Sequence, residues 1–188
     1  MVMRVLIAIA AVLGAASCRP APSTPKLDVQ SETAIVEQDV RVMNDAFFSG
    51  DGDTLVQHTL PAVVQKWGGP EQYAKIYMGV AAAQTKAGIK RESLTFPTPP
   101  EFIAGKNGRW FVLVPNKVVV SDGTRRGART GLQLGVKEQG ATEWKYIPGQ
   151  FVRPDLLATL APDFPADHPL PPRSTEKLPA LDTSSKPE

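Results

Sequence analysis

The hydrophobic residues in the first part of the chain recur with the period of an α-helix. One helix face is formed by residues at spacings of four, three and four: Val36, Val40, Met43 and Phe47. Ser31 precedes this stripe and is a suitable N-cap, while Gly50 follows it in the position that glycine often takes after a helix. The pattern therefore predicts a helix from about residue 29 to residue 49.

Further helical segments follow before the period changes. Thr54 to about His58 is predicted as a short helix, and a longer one opens at Pro70 with a stripe that includes Tyr73 and Tyr77. The segment 61–67 has two interpretations, because Pro61 suits the first turn of a helix whereas two adjacent valines favour a strand. We interpret it as helix.

Beyond Gly88 the hydrophobic pattern changes to a period of two, which is typical of β-strands. Strands are predicted over 89–96, 101–104, 109–121, about 128–136 and 144–147. A Pro115-Asn116 step interrupts the third of these, so it should mark a bulge or an edge position. The order predicts an α+β fold in which N-terminal helices pack on a curved antiparallel sheet.

The fourth predicted strand separates its residues into two sets. Alternate residues form one largely apolar face, which contains Ala128, Thr130, Leu132, Leu134 and Val136. The other face contains polar residues and glycines: Arg129, Gly131, Gln133, Gly135 and Lys137. We expect the apolar face to lie under the helices and the polar face to meet water, as in many antiparallel sheets.

The N-terminal residues have the pattern of an export signal. Arg4 provides a positive charge, residues 5–13 form a short apolar stretch, and small residues precede Cys18. This resembles the signal of a bacterial lipoprotein, in which the cysteine is lipidated and becomes the first residue of the mature chain. Ordinary cleavage after Ser17 is the alternative. Both interpretations predict export, to the periplasmic side of a bacterial membrane as a lipoprotein or otherwise as a secreted or periplasmic protein.

The predicted organisation has four parts. Residues 1–17 form a signal peptide, and the Pro-rich residues 18–27 form a flexible tether. Residues 28–161 form a single α+β domain that ends with a short leucine-containing helix from Asp155 to about Leu160. Residues 162–188 are rich in Pro, Ser and charge, which predicts a disordered tail.

Composition excludes several kinds of site. The formal net charge of +2 gives no sign of nucleic-acid binding, although Lys117, Arg125, Arg126 and Arg129 form a local basic group. The single cysteine excludes an intramolecular disulfide and a Cys-rich zinc site. Because only two histidines are present, little is left for a metal site, and we predict no metal and no cofactor.

Helices followed by a curved sheet of long strands resemble the nuclear-transport-factor-two-like superfamily, the cone-shaped fold that ketosteroid isomerases also use. The resemblance covers about Ser31 to Ile147 and rests on element order and three local signals. These are residues 47–51 (FFSGD) between early helices, residues 68–72 (GGPEQ) at a helix start, and residues 144–149 (WKYIPG) in a late strand. It implies a cone that often holds a small apolar ligand.

An isomerase of that family would need a carboxylate base inside the cone. Residues 60–69, 106–121 and 123–136 contain neither Asp nor Glu, so the strands expected to line the cone are free of acids. His58 is then the main candidate for a base, although local packing is the more common role of such a histidine. The aromatic residues that could line an apolar site are Trp67, Tyr73, Tyr77 and Trp110.

These observations predict an exported or lipid-anchored module that binds without catalysing. The expected partners are the membrane, through a lipid on Cys18, and a small apolar ligand or a protein. The expected ligand-binding residues are His58 and the four aromatic residues named above. The alternative is a pocket enzyme of the isomerase, cyclase or dehydratase type with His58 as the base.

Overall fold

The computed structural model describes residues 27–179. The predicted signal peptide, Cys18 and tether residues 18–26 lie outside this range. The five helices are α1 Val29–Ser49, α2 Gly52–His58, α3 Pro61–Lys66, α4 Pro70–Lys86 and α5 Pro154–Leu160. The six strands are β1 Lys90–Thr95, β2 Glu101–Ala104, β3 Trp110–Ser121, β4 Arg126–Lys137, β5 Lys145–Ile147 and β6 Ser174–Leu178. Two 3₁₀ turns cover Lys106–Gly108 and Gly149–Phe151.

The helix predictions are confirmed, including the helical interpretation of residues 61–67. The predicted cap of α1 is wrong by three residues, because the Asp28 carboxylate, not Ser31, accepts a backbone N–H bond, from Ser31 at 3.4 Å. An N-cap side chain reaches the second or third N–H of its helix, so the acceptor must lie before the segment it caps. At the other end Gly50 adopts a left-handed conformation with φ 78°, as predicted.

The helices precede a curved antiparallel sheet of six strands, which confirms the predicted α+β fold class. The β3 strand pairs with β4 along its whole length. On its other edge β3 pairs with β1 over 117–121 and with β2 over 110–113. β4 pairs with β5 over 134–136 and with β6 over 126–130. The long β3–β4 hairpin is therefore the centre of the sheet.

Pro115 is accommodated without breaking β3. It lies opposite Leu132 of β4, and on the other edge it falls between the segments that pair with β2 and β1. A proline cannot donate to a strand ladder, so this gap removes the need for its missing N–H. The prediction of an edge position is correct, while the strand itself is continuous.

The helices cover the face of the sheet that the sequence had suggested was wet. Residues paired directly across strands share a face, so Gly135 lies with Val112 and Tyr146. The Tyr146 hydroxyl bonds to Asp39 of α1, which places α1 over this face. Gly135 leaves room on this side for large neighbours, because a Cβ there would lie 3.1 Å from the rings of both Trp144 and Tyr146. The predicted orientation of β4 is therefore wrong.

The apolar face of β4 is covered by residues that follow β5. Phe111 shares this face with Val136 and packs edge-on against Phe164, with ring centroids 5.3 Å apart. Leu157 and Leu160 of α5 belong to the same buried cluster. Both faces of the central hairpin are thus buried, one under the N-terminal helices and one under the C-terminal segment.

The prediction of a disordered tail from residue 162 is wrong for the described residues 162–179. Phe164 is buried with 7% of its surface exposed, and Ser174–Leu178 forms β6 on the edge of β4. Composition failed here because β6 is held by backbone hydrogen bonds, which polar residues form as readily as apolar ones. Within residues 27–179, no helix combines the length and apolar character that a membrane span requires.

Candidate functional site

Three of the five predicted ligand-binding residues lie together at one end of the helical layer. The rings of Tyr73 and Tyr77 have centroids 4.8 Å apart, and Trp67 packs on Phe151 with centroids 5.2 Å apart. Gln150 joins the two pairs, because its amide donates to the Tyr77 hydroxyl at 2.9 Å. We call Trp67, Tyr77, Gln150 and Phe151 the aromatic surface.

Backbone turns position this surface. Trp67 follows α3, and the chain then reverses through Gly68 and Gly69, whose φ angles are 93° and 87°. Such angles are strained for other residues, so the two glycines allow α4 to start directly at Pro70. The 3₁₀ turn Gly149–Phe151 then brings Gln150 and Phe151 across from the C-terminal side of β5. Neither residue had been selected from the sequence.

A chain of hydroxyl groups runs inward from the aromatic surface. Tyr77 accepts from Tyr73 at 3.4 Å, and the Tyr73 hydroxyl lies 3.2 Å from that of Thr59, which is buried. Burial, followed by the electrostatic influence of Tyr77, raises the pKa of Tyr73 well above its usual value. Tyr73 therefore stays protonated at neutral pH, where it can donate or accept a hydrogen bond but cannot serve as a base.

His58 lies beside a carboxylate that the sequence could not assign. Its Nδ1 is 4.0 Å from Oδ1 of Asp39 in α1, which exceeds a hydrogen-bond distance. The other Asp39 oxygen accepts from the Tyr146 hydroxyl at 2.8 Å. His58 keeps 25% of its side chain exposed and belongs to the helix end that precedes Thr59. The arrangement brings a histidine, a carboxylate and a phenol to one edge of the sheet.

The Tyr146 phenol has a pKa raised far above its usual value, first by burial and then by the negative charge of Asp39. A group whose pKa is raised on folding stabilises the protein below its unfolded pKa and loses that effect at higher pH. Unfolded tyrosine ionises near pH ~10, so the stability linked to Tyr146 should decline above that value.

We therefore expect Tyr146→Phe to weaken the fall in stability above pH ~10, because the substituted chain has no phenol there to ionise on unfolding. At neutral pH it should cost about 1–2 kcal/mol, since Asp39 loses a donor. Urea unfolding at a series of pH values measures both effects. Tyr73→Phe should also reduce the loss of unfolding free energy above pH ~10. If both variants lost as much stability with rising pH as the wild-type protein, the raised pKa values of Tyr73 and Tyr146 would be contradicted.

Trp110 lies apart from the other predicted residues. It begins β3 opposite Lys137, whose ammonium group bonds to Glu32 near the start of α1. The indole Nε1 of Trp110 is buried and has no hydrogen-bond partner within the described residues. The structure thus brings Trp67, Tyr73 and Tyr77 together, joins His58 to them through Thr59, and leaves Trp110 at another part of the sheet.

Two of the open depressions on the surface of residues 27–179 have volumes of about 490 and 410 Å³. The larger is lined by the ends of α1 and α4 and by β1, and its Arg91 is paired with Asp45. The smaller surrounds Arg109, which bonds to Glu138 at 2.7 Å and to Asp163 at 2.5 Å. Neither includes His58 or a residue of the aromatic surface.

Three of the four side chains in the basic group around the β3–β4 turn are paired with carboxylates. Lys117 lies 3.3 Å from Glu176, Arg125 is paired with Asp122 at 2.7 Å, and Arg126 with Glu92 at 2.6 Å. The Arg126 hydrogen bonds lower the pKa of Glu92. These pairs reduce the local positive potential that an anionic ligand would meet.

Asp39 is the additional site residue with the clearest signal in the sequence. It lies seven residues after Glu32, and both carboxylates point at β-sheet side chains from the buried side of α1. Two acidic residues spaced by two helical turns within an apolar stripe are a recognisable signal. Gln150 and Phe151 carry no such signal, because only a turn in the folded chain brings them to Tyr77 and Trp67.

In residues 27–179 no group of three or more His, Cys, Asp and Glu side chains is arranged to hold a metal ion. The site is thus an exposed aromatic surface, continued inward by protonated hydroxyl groups and bordered by His58 and Asp39. Comparison with protein-family models, curated proteins and solved structures finds no match for this chain.

Proposed function

We propose that this protein is a non-catalytic module of the bacterial cell envelope that binds a protein partner through its aromatic surface. In this proposal the chain is exported, is held at the periplasmic side of a membrane by a lipid on Cys18, and belongs to the nuclear-transport-factor-two-like superfamily. The order of the helices and the antiparallel sheet, and the position of α1 over one face of that sheet, support that relationship.

The observation that carries the proposal is the exposure of the Trp67 ring to solvent. Its side chain is 43% exposed, although its ring is held against Phe151. Tryptophan dominates binding energy at many protein interfaces, because a large rigid ring gains contact area at little entropic cost. Tyr77 and Gln150 add a hydroxyl and an amide beside it, which is the mixed apolar and polar character of an interface.

A protein partner is favoured over a small apolar ligand by the packing around the hydroxyl chain. Tyr73 is 2% exposed and Tyr146 is fully buried, so side chains fill the space beneath the helices near these residues. Small-ligand sites are usually concave and enclose most of the ligand. The two surface depressions lie elsewhere, and the aromatic surface offers contact from one side.

The enzymatic alternative is supported by the distance of 4.0 Å between His58 and Asp39, since a carboxylate can orient a general base. Two features weigh for binding instead. Asp39 already accepts a hydrogen bond from Tyr146, and neither surface depression includes His58. An enzyme of this type would need a site beside His58 that excludes water, and the two depressions described above lie elsewhere.

Trp67→Ala should weaken partner binding by roughly thirtyfold or more, because truncation of an interface hot spot costs about 2 kcal/mol. Met78→Ala is the matched control, since Met78 is 56% exposed on α4 outside the aromatic surface. An aromatic photo-crosslinking residue, which keeps a large ring at the substituted position, would replace Trp67 or Met78 in cells that produce the full chain. One discrete adduct should form from position 67 only, and the partner that it identifies is then titrated against each alanine variant.

Mass spectrometry of the same membrane preparation tests the anchor, which predicts a mature chain that begins at a lipidated Cys18. Equal partner binding by Trp67→Ala and Met78→Ala would overturn the binding proposal. Binding of a fluorescent apolar probe that is lost with Trp67→Ala, without any protein adduct, would assign the surface to a small ligand.

A further inference from the structure

The last described strand is attached to the sheet almost entirely through its backbone. β6 pairs antiparallel with β4 in a register that sets Ser174 opposite Thr130 and Leu178 opposite Arg126. The first four residues of β6 are exposed, and only Leu178 is half-buried. Since little apolar surface is buried, the hydrophobic effect contributes little to holding this strand.

Few side-chain contacts add to the ladder. The ammonium group of Lys117 lies 3.3 Å from the Glu176 carboxylate, but 34% and 51% of these side chains are exposed, so water and salt weaken the pair. Arg173 directly precedes the strand, and its guanidinium donates to the carbonyl of Val152. A strand held in this way opens locally far more often than the whole domain unfolds.

When β6 leaves, it exposes a β4 edge that accepts strands. Residues 126–130 would then have unpaired N–H and C=O groups, and Ala128, now only 2% exposed, would lose part of its cover. An unpaired edge of this kind is a ready template for another strand. β4 holds this edge in place, because it pairs with β3 along all of β3.

We propose that this edge also binds β6 of a second copy of the chain, so that two molecules exchange their C-terminal strands. The β4 edge fits β6 of a second copy, because an identical strand reproduces the same register and the same Lys117–Glu176 pair. The exchange is reciprocal, so it closes into a symmetric dimer in which the β4 edge of each molecule is paired.

The connection to β6 is suited to crossing between molecules. Leu170 is the last side chain before the strand that packs against the core, and the short arm Pro171-Pro172-Arg173 follows it directly. Proline restricts the backbone to extended conformations, so this arm resists folding back on itself. Because the exchanged and unexchanged forms have the same strand contacts, protein concentration decides their ratio. The inference does not depend on the partner proposed for the aromatic surface.

Engineered cysteines at opposed positions of β4 and β6 test the exchange. Arg129 and Thr175 are Cα partners on exposed parts of the two strands, so Arg129→Cys with Thr175→Cys can form a disulfide across the ladder. Cys18→Ser is included in the full chain so that no other thiol is present. The protein is oxidised at low and at high concentration, and monomer and dimer are separated by size before non-reducing denaturing electrophoresis.

Strand exchange predicts that monomers carry a disulfide within one chain, whereas dimers stay covalently linked after denaturation and increase with concentration. The matched control pair is Lys90→Cys with Ser121→Cys, which are Cα partners on β1 and β3. β1 is followed by the other strands of the sheet and does not exchange between molecules in this proposal. The Lys90→Cys/Ser121→Cys pair should therefore form a disulfide only within one chain at every concentration. A protein that stays monomeric, or dimers whose Arg129→Cys/Thr175→Cys disulfides remain within each chain, would overturn the proposal.

Discussion

Gly149→Ala should lower the melting temperature by roughly 6–12 °C, the equivalent of about 3 kcal/mol for a domain of this size. Gly149 opens the 3₁₀ turn beside β4, and a Cβ added there would collide with the carbonyl oxygen of Leu132. The obstacle is backbone in the central hairpin, which β3 holds through a continuous ladder. Overpacking against a group that cannot rotate away belongs at the upper end of the usual cost.

Gly79→Ala is the matched control and should have the opposite sign. Gly79 lies within α4 and a Cβ at this position would meet nothing within 4 Å. Alanine is favoured over glycine in a helix by about 1 kcal/mol, so the melting temperature should rise by roughly 2–4 °C. Thermal unfolding followed by circular dichroism measures both variants. A Gly149→Ala protein as stable as wild type would mean that the turn does not press against β4.

Glu32→Ala should destabilise the protein by about 3 kcal/mol, because it removes the common acceptor of two buried donors. One carboxylate oxygen of Glu32 accepts from Lys137 at 2.6 Å, and the other accepts from the indole N–H of Trp144 at 2.6 Å. Glu32 and Lys137 are only 13% and 14% exposed, and Trp144 is 1% exposed. Without Glu32, a nearly buried ammonium group would be left without its partner.

Three variants separate this contact from a general effect of acidic residues at helix starts. Glu71 occupies the first turn of α4 as Glu32 does in α1, so Glu71→Ala should lose no more than about 1 kcal/mol of helix-end stabilisation. Glu32→Gln keeps an acceptor and should lose less than Glu32→Ala. Lys137→Met combined with Glu32→Ala should recover part of the loss, since the unpaired charge is gone. Urea unfolding gives each free energy, and equal losses for Glu32→Ala and Glu71→Ala would contradict the paired role.

The sequence was sufficient for the features that depend on neighbouring residues. The stripe from Val36 to Phe47 predicted α1 with the bounds that the structure has, and Gly50 marked its end. The change of period after Gly88 predicted the sheet and hence the α+β class. Of the candidate residues, Trp67, Tyr73 and Tyr77 lie near one another, because α3 and α4 are adjacent in the chain and joined by a short glycine turn; their role in binding stays a prediction.

Apart from the cap of α1, the features missed from the sequence join residues that are far apart in the chain. Alternation along β4 identified the residues on each face, but only tertiary contacts, such as the bonds from Tyr146 to Asp39 and from Lys137 to Glu32, show which face α1 covers. His58 and Asp39 are brought together by packing of α1 and α2, which no spacing in either helix encodes.

The sequence by itself therefore determined the helices, most of the strands and the fold class, since side-chain period is a local consequence of backbone geometry. The tertiary structure alone decided the two-sided burial of the β3–β4 hairpin, the aromatic surface and the place of β6. That strand has mostly polar and exposed side chains, and backbone hydrogen bonds to β4 hold it. Such bonds are available to every residue except proline, so composition cannot reveal where a strand of this kind will pair.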